Sequence, residues 1–159
     1  MDQNILSKLG AYLLAHGEEI ICEWLRAVER NPHISSSNVL KYKELVDHLP
    51  TLFENLAGLL KSPHSDPQRS EVRRDARVHG KHRWRQGYRF EEVIREANIV
   101  RHILFDKWMD KFAREVPKFD RETREVAENI IRQAVDDIFT ESAKQFEEEQ
   151  QKSRPFSRR

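Results

Sequence analysis

Glycine and proline are scarce in this chain, with five glycines and six prolines among 159 residues. β-Sandwiches and barrels need many turns rich in these residues, so both architectures are disfavoured. The single cysteine, Cys22, cannot form a disulfide within the chain, which fits a reducing compartment. No apolar run approaches the roughly 20 residues of a membrane span, and the first residues lack the pattern of a secretory signal. We therefore expect a cytoplasmic chain that does not enter a membrane.

An excess of charge of one sign is also lacking, because 28 basic residues balance 27 acidic ones to a net charge of +1. Bulk charge therefore gives no attraction to a polyanion. Charged residues make up 35% of the chain and hydrophobic residues 38%, a mix that favours long amphipathic helices. The length suits one domain with a real core, without disulfides or metal. We predict a single all-α domain over residues 1–150 and a disordered tail over 151–159.

Apolar residues recur at helical spacing in five segments and predict helices over 3–30, 39–61, 67–86, 90–116 and 120–150. Gly17 and Pro50 lie inside the first two and should bend or divide them, giving about five to seven helices with a long C-terminal one. Asp66 is a candidate N-cap of the third helix, and Gly87 is its candidate C-terminal glycine. Beyond Phe146 the last helix becomes polar all round, so its end is either frayed or paired with a partner helix.

The third predicted helix carries polar residues on the side where a core is normally apolar. Val72 and Ala76 begin an apolar ladder that continues at His79, Gly80 and Arg83. A glycine inside a helix costs about 1 kcal/mol relative to alanine. Close approach of another helix is the usual reason for such a glycine, so we expect one at Gly80.

A short connection at residues 87–89 joins the third and fourth helices, which should therefore lie antiparallel. Arg83 and Glu96 then sit at similar heights on either side of the turn. A buried arginine needs a charged partner, so we predict an ion pair between these two residues, with His79 in reach of the same network. Such a network either fixes helix register or serves as a ligand-sensing switch, and the residues alone leave both interpretations open.

Two histidines of the third helix, His79 and His82, have the i, i+3 spacing that can bring two imidazoles to one metal ion. A site needs further ligands, and no matching Glu-x-x-His sequence occurs elsewhere in the chain. His102, Glu92 and Glu96 are conceivable additions without a supporting pattern. We therefore predict no metal site.

Haem is the cofactor to weigh, because several helices and seven histidines suit a globin-like pocket. His102 lies beside the apolar stripe of the fourth helix, His79 lies in the ladder of the third, and His48 precedes Pro50 by two residues. A lone histidine near a core is more often hydrogen-bonded than ligating. Haem, through His102 or His79, is therefore kept as an alternative, and no cofactor is predicted.

The third helix is also basic and carries Trp84 and Tyr88, a pattern that could bind nucleic acid. However, Arg73, Arg77 and Lys81 form an i, i+4 row that is typical of an ordinary solvated face. We predict no nucleic-acid partner.

The sequence contains no nucleophile motif, glycine-rich phosphate loop or Cys/His cluster, so we predict neither catalytic residues nor enzyme activity.

The same helix carries a family resemblance. Residues 79–88 read HGKHRWRQGY, and residues 91–96 read EEVIRE. This stretch resembles the RsbRD-type N-terminal sensor domain, also called the RsbT co-antagonist N-terminal domain. The family pattern is His-Gly-x-x-Arg-x-x-x-Gly-aromatic, then an apolar pair, a Glu and Leu-Arg, and here Val100 and Arg101 stand for the last two. Trp24 and the segment 47–53 also match, and the resemblance covers about residues 5–146.

The resemblance implies a globin-like helical bundle, usually without haem, that acts as a non-catalytic sensory domain in bacterial signalling. The implied partners are signalling proteins such as a histidine kinase or a stressosome component. The candidate ligand or switch network comprises His79, Gly80, Arg83, Gly87, Glu96 and Arg101. We expect a ligand or partner to change helix packing there, the last helix to transmit the change, and a homodimer to form through 120–150. A haem- or cofactor-binding globin-like protein and a structural adaptor are the alternatives.

Overall fold

Residues 3–36, 40–46 and 48–154 are described by the computed structural model, and all regular structure in these ranges is helical. The predicted all-α bundle with a long C-terminal helix is confirmed. In chain order the elements are α1 (Gln3–Ala15), α2 (Gly17–Arg30), α3 (Tyr42–Val46), α4 (Leu49–Lys61), α5 (Asp66–Arg85), α6 (Phe90–Ile103), a π-helical turn (Leu104–Trp108), α7 (Met109–Glu115) and α8 (Arg121–Lys152). No helix in the described ranges combines the length and the apolar character that crossing a membrane requires.

The first two predicted helices are divided near the residues that the sequence singled out. The first breaks at His16, and α2 begins at Gly17. The second divides so that Pro50 lies in the first turn of α4, where a missing backbone donor costs nothing. The predicted start at Val39 lies outside the described residues, and the described part of this helix begins at Tyr42.

The fourth predicted helix is confirmed from Phe90 to Glu115, and it contains a π-helical turn over Leu104–Trp108 that the sequence did not predict. Leu104 and Met109 are both buried and lie five residues apart, which is the hydrogen-bond spacing of a π-helix. The wider turn therefore keeps both side chains on the core side. The 3.6-residue spacing of apolar positions does not reveal this π-helical turn, because the same spacing describes the helical segment before the turn and the segment after it.

Helix α5 packs mainly along α8. Arg77 pairs with Glu141 at 3.1 Å and Lys81 pairs with Glu149 at 3.6 Å, so α5 and α8 run in the same direction. Phe90 of α6 lies against Phe146 of α8 and Arg101 pairs with Asp136, so α6 runs opposite to α8 and, as predicted, opposite to α5. The predicted C-terminal glycine is confirmed at Gly87, whose φ of 82° is the left-handed conformation that glycine adopts most easily. After this turn α6 packs against α2 and α8.

Ser65, and not the predicted Asp66, caps the start of α5. The Ser65 hydroxyl oxygen accepts a hydrogen bond from the backbone N–H of Gln68 at 3.3 Å. The helix consequently includes Asp66, whose carboxylate lies in the first turn, where the helix dipole favours negative charge.

The end of α8 packs on α5 within the chain, so the expectation that it frays was wrong, whereas its pairing with a partner helix stays a prediction. The rings of Phe146 and Trp84 meet edge to face at 5.4 Å, and Phe146 is buried. Glu149 is also buried and bonds Lys81 of α5. The helix reaches Lys152, and residues 155–159 of the predicted tail, like residue 47 of the family pattern, lie outside the described ranges.

The core forms where α1 packs on α4, α2 on α6 and α5 on α8. Trp24 of α2 is buried in it, and its indole N–H donates to the backbone carbonyl of Glu96 at 3.2 Å. This bond positions the middle of α6, and with it the Glu96 side chain, against the rest of the bundle.

Candidate functional site

Gly80 lies at the closest approach of α5 to α8, as the sequence predicted. A Cβ atom at Gly80 would lie 2.2 Å from the backbone oxygen of Ser142, a distance that no real side chain tolerates. The Ser142 hydroxyl donates to the Ala76 carbonyl at 2.8 Å from the same turn of α8. Together these contacts fix the height of α8 against α5, beside the polar residues of the predicted network.

Arg83 is buried, with 1% of its surface exposed, and forms the predicted ion pair with Glu96, from Nε to Oε1 at 3.0 Å. Each of its five N–H groups has an acceptor within reach. The acceptors are Glu96 at 3.0 Å, Gln86 at 2.6 Å, Leu45 at 2.8 Å, Glu44 at 3.5 Å and His48 at 3.5 Å. The guanidinium therefore ties α3 to α5 and α6.

Glu96 is the second buried charge of this network, and Tyr88 completes its hydrogen bonding. The Tyr88 hydroxyl donates to Glu96 Oε2 at 2.5 Å, and the Arg83 guanidinium lies 4.6 Å from the centre of the Tyr88 ring. Burial raises the pKa of Glu96 against the opposite effect of Arg83 and Tyr88. Burial and the neighbouring Glu96 carboxylate also raise the pKa of Tyr88, so this phenol keeps its proton and remains a donor.

His79 stacks on His48, with ring centroids 4.0 Å apart and planes inclined by 22°. Burial lowers the pKa of both imidazoles well below 6.5, and the positive charge of Arg83 acts in the same direction. Both rings are therefore neutral at neutral pH. Arg83 can only donate, so Nδ1 of His48 accepts its bond and the proton of the neutral ring resides on Nε2.

The stacked histidines face a cavity of about 250 Å³ between α4, α5, α6 and α8. Its walls are mainly aliphatic and aromatic, and they include Leu52, Val72, Val93, Val100, Ile138 and Phe139. The polar groups that reach it include His48, Asn55, Asp75, His79, Glu96 and Ser142. A small number of polar groups in an otherwise apolar concavity is the usual composition of a ligand pocket.

The predicted network residues divide into three groups. His79 and Glu96 line the cavity, whereas Arg83 lies behind them and holds Glu96. Gly80 and Gly87 position the backbone. Arg101 is not part of the cluster: it pairs instead with Asp136 of α8 at 2.6 Å on the surface.

Of the histidines considered as metal or haem ligands, His48, His79 and His82 line the cavity and His102 does not. His102 exposes 76% of its side chain and pairs with Asp106, outside the cavity. His82 is exposed and reaches only the edge of the cavity that His79 lines. Within the described ranges, no three His, Cys, Asp or Glu side chains are arranged to hold a metal ion.

Sequence reasoning missed the role of Glu92, a wholly buried carboxylate at the start of α6. It accepts hydrogen bonds from the backbone N–H groups of Ser35 at 2.7 Å, Ser36 at 2.9 Å and Arg89 at 2.9 Å. Burial would raise the pKa of Glu92, but these bonds and the Ser36 hydroxyl hold it at about 2. The signal in the sequence was a glutamate in the first turn of a helix, which identifies a capping residue. It does not identify the serines, distant in sequence, whose N–H groups donate to this glutamate.

The basic row on α5 was predicted to be a solvated face, and the structure shows that two of its members reach α8. Arg77 pairs with Glu141, and Lys81 pairs with Glu149, whereas Arg73 is exposed. These pairs reduce the free positive charge of the helix. They join α5 to α8 above and below the contact at Gly80.

A protein-family model, described as the RsbT co-antagonist protein rsbRD N-terminal domain, matches residues 18–154. Comparison with curated proteins and with solved structures gave no match. The matched range includes the buried ion pair, the stacked histidines and every residue that lines the cavity.

Proposed function

Since the chain belongs to the family of RsbT co-antagonist rsbRD N-terminal domains, which are regulatory signalling domains, we propose that it senses a small ligand in the cavity between α4, α5, α6 and α8. The observation that carries this proposal is the position of the cavity. His79 and Glu96 line it, and the buried Arg83 connects Glu96 to α3. A ligand there would contact residues whose partners lie on several helices.

Helix α8 is the element through which we expect the signal to leave the domain. Val135, Ile138, Phe139 and Ser142 of this helix form one wall of the cavity. The helix has 32 residues and a length of about 48 Å at 1.5 Å per residue. If α8 can occupy two positions, a ligand that binds the cavity more tightly in one of them shifts the equilibrium toward that position. The size of the shift is set by the difference between the two affinities.

A signalling partner of the stressosome type follows from the family, and a histidine kinase is the other partner class that we propose. We place the protein in the cytoplasm and expect a homodimer through the outer face of residues 120–150, because the inner face of α8 is already covered by α5. Size-exclusion chromatography with light scattering tests the dimer. A strict monomer at high protein concentration would count against it.

Two other functions have weaker support from the site. A structural adaptor is favoured by the complete hydrogen bonding of the Arg83 guanidinium, which needs no ligand. A haem protein is disfavoured, because His102 lies outside the cavity and the ring of His79 stacks on His48.

Replacement of both Arg83 and Glu96 by leucine, in the native full-length protein in its host, separates a sensor from an adaptor. Loss of one partner of a buried ion pair costs about 3–5 kcal/mol, whereas exchange of both for apolar residues is often close to neutral. We expect a folded protein whose host no longer responds to the stimulus. The matched control is Arg77→Leu with Glu141→Leu, an ion pair between α5 and α8 outside the network.

The readouts of this experiment are the thermal stability of the purified protein and the stimulus-dependent output in the host. A folded double variant with a full response would favour the adaptor and contradict the sensory proposal. Native mass spectrometry of the protein purified from its own host provides an independent test, because a ligand held in the cavity adds a defined mass.

A further inference from the structure

His79 is a polar side chain of the cavity wall whose hydrogen-bonding capacity is unused. Its ring lines the cavity and stacks on His48, and neither ring nitrogen forms a hydrogen bond with any described residue. A neutral imidazole offers one N–H donor and one nitrogen acceptor. Two neighbouring polar groups of the wall are engaged: Asn55 donates to Asp75 at 3.1 Å and Ser142 donates to the Ala76 carbonyl at 2.8 Å.

The walls around His79 carry no uncompensated buried charge. Glu96 is neutralised by Arg83 and also accepts a bond from Tyr88. Asp75 is only partly buried and accepts the bond from Asn55. An anionic ligand would meet no cationic side chain on the wall, and a cationic ligand would meet only the Asp75 carboxylate, which is partly solvated and bonded to Asn55. Burial of either charge in this apolar setting is therefore costly. The cavity therefore favours an uncharged molecule.

The size of the cavity limits the ligand further. An apolar cavity of about 150 Å³ admits benzene. The cavity here measures about 250 Å³, which leaves room for one ring with a short substituent. A drug-sized ligand would extend beyond this volume, since pockets for such ligands begin at roughly 300 Å³.

We propose that the cavity binds an uncharged, mainly apolar molecule of the size of a substituted benzene, whose single hydroxyl group hydrogen-bonds with His79. This inference rests on the proposed sensory function for its biological meaning and names the class of ligand. A hydroxyl group both donates and accepts, so it suits either tautomer of the imidazole.

The test compares four probes of similar size: p-cresol, toluene, benzoate and benzylamine. Each is titrated into the purified protein, and binding is followed by the NMR shifts of amide groups in α5 and α8. We expect p-cresol to bind about two- to tenfold more tightly than toluene, the gain of one hydrogen bond to a neutral partner. Benzoate and benzylamine should bind more weakly than p-cresol.

Two variants assign this preference to one side chain. His79→Phe keeps an aromatic ring and removes both nitrogens, so it should bind toluene and p-cresol equally. His102→Phe removes an exposed imidazole outside the cavity and should keep the preference. The imidazole ¹⁵N shifts of His79 in the unsubstituted protein give a second readout, which should change with p-cresol and not with toluene.

Three results would overturn the inference. They are tighter binding of benzoate or benzylamine than of p-cresol, an unchanged preference in His79→Phe, and no shift at cavity residues with any of the four probes.

Hydrogen exchange of α8, measured with the same samples, tests the sensory proposal separately. If p-cresol is preferred and α8 does not respond, the ligand class stands and the sensory proposal fails. If α8 responds only to a charged probe, the ligand class fails and the sensory proposal stands.

Discussion

At the scale of single residues, the packing and hydrogen bonding of the site depend on individual atoms. Gly80 and Tyr88 show this in two ways, one by a missing side chain and the other by a single hydroxyl group. Both residues belong to the pattern that carries the family resemblance, and neither presents a charge. Their contributions are to packing and to the hydrogen bonding of buried charges, so stability is the property in which substitutions should appear first.

Gly80→Ala should destabilise the protein by about 1–3 kcal/mol, the usual cost of overpacking, although alanine favours a helix by about 1 kcal/mol. The added methyl group would meet the backbone of Ser142, which cannot rotate away. Gly58→Ala is the matched control, because its methyl group would meet only the flexible end of the Gln68 side chain. Urea unfolding of both variants gives the comparison, and equal stabilities would refute the proposed close packing.

Tyr88→Phe should cost about 1.5–3 kcal/mol, the range for a hydrogen bond to a charged group. The lost hydroxyl is one of the two donors that satisfy the buried Glu96 carboxylate. Tyr42→Phe is the control, because Tyr42 exposes 57% of its surface and should change stability by less than about 0.5 kcal/mol. A Tyr88→Phe protein as stable as the control would show that Glu96 does not depend on this bond.

At the scale of elements, Glu92 fastens the loop after α2 to the start of α6. Its pKa of about 2 lies below the ordinary value of 4.5, since burial is outweighed by hydrogen bonds from Ser36, Arg89 and Ser35. A lowered pKa in the folded state stabilises the protein above pH 4.5, and this stabilisation is lost as the pH falls from about 4.5 to about 2.

Glu92→Gln should therefore lower stability at neutral pH and flatten its dependence on pH between about 4.5 and 2. The neutral amide cannot accept all of the bonds that the carboxylate accepts. Glu91→Gln, an exposed neighbour in the same turn, should leave the profile unchanged. Unfolding in urea over this range of pH measures both variants, and parallel profiles for Glu92→Gln and the unsubstituted protein would contradict the assignment.

The elements also show how far the sequence could predict this fold. Helical spacing located five long segments, since apolar residues recur along each of them, although in the third the ladder turns polar at His79 and Arg83. It could not distinguish α5 beside α8 from α5 beside α6, because the acids that pair with Arg77 and Lys81 lie more than 60 residues away. The Arg83–Glu96 pair was predictable because a short turn separates the two helices. The stacking of His48 on His79 was not, since it depends on how α4 docks.

At the scale of the whole molecule, the stacked histidines make stability depend on pH near neutrality. Burial first, and then neighbouring positive charge, lowers the pKa of His48 and His79 well below 6.5. The unfolded chain therefore binds more protons than the folded one as the pH falls below 6.5. The stability that these residues contribute is present above this pH and is lost on acidification.

Between pH 6 and 5 the free energy of unfolding should fall with a slope approaching about 2.7 kcal/mol per pH unit, the value for two protons. His79→Phe should reduce the slope by about half, because one of the two groups is removed. His102→Phe, at an exposed position, should keep the full slope. Chemical unfolding at several pH values provides the measurement. An unaltered slope in His79→Phe would place the proton uptake elsewhere.

The contact between Gly80 and Ser142 also has a consequence for the proposed movement of α8. On the proposed sensory function, we expect this direct contact of two backbones to act as a pivot, so that a push on the cavity wall would rotate α8 about Ser142 and not slide it. Val135 lies about 10 Å from this pivot on one side, and Lys152 lies about 15 Å away on the other. On this proposal the helix would be a lever, and an inward displacement at the cavity would become an outward displacement about one and a half times as large at its C-terminal end.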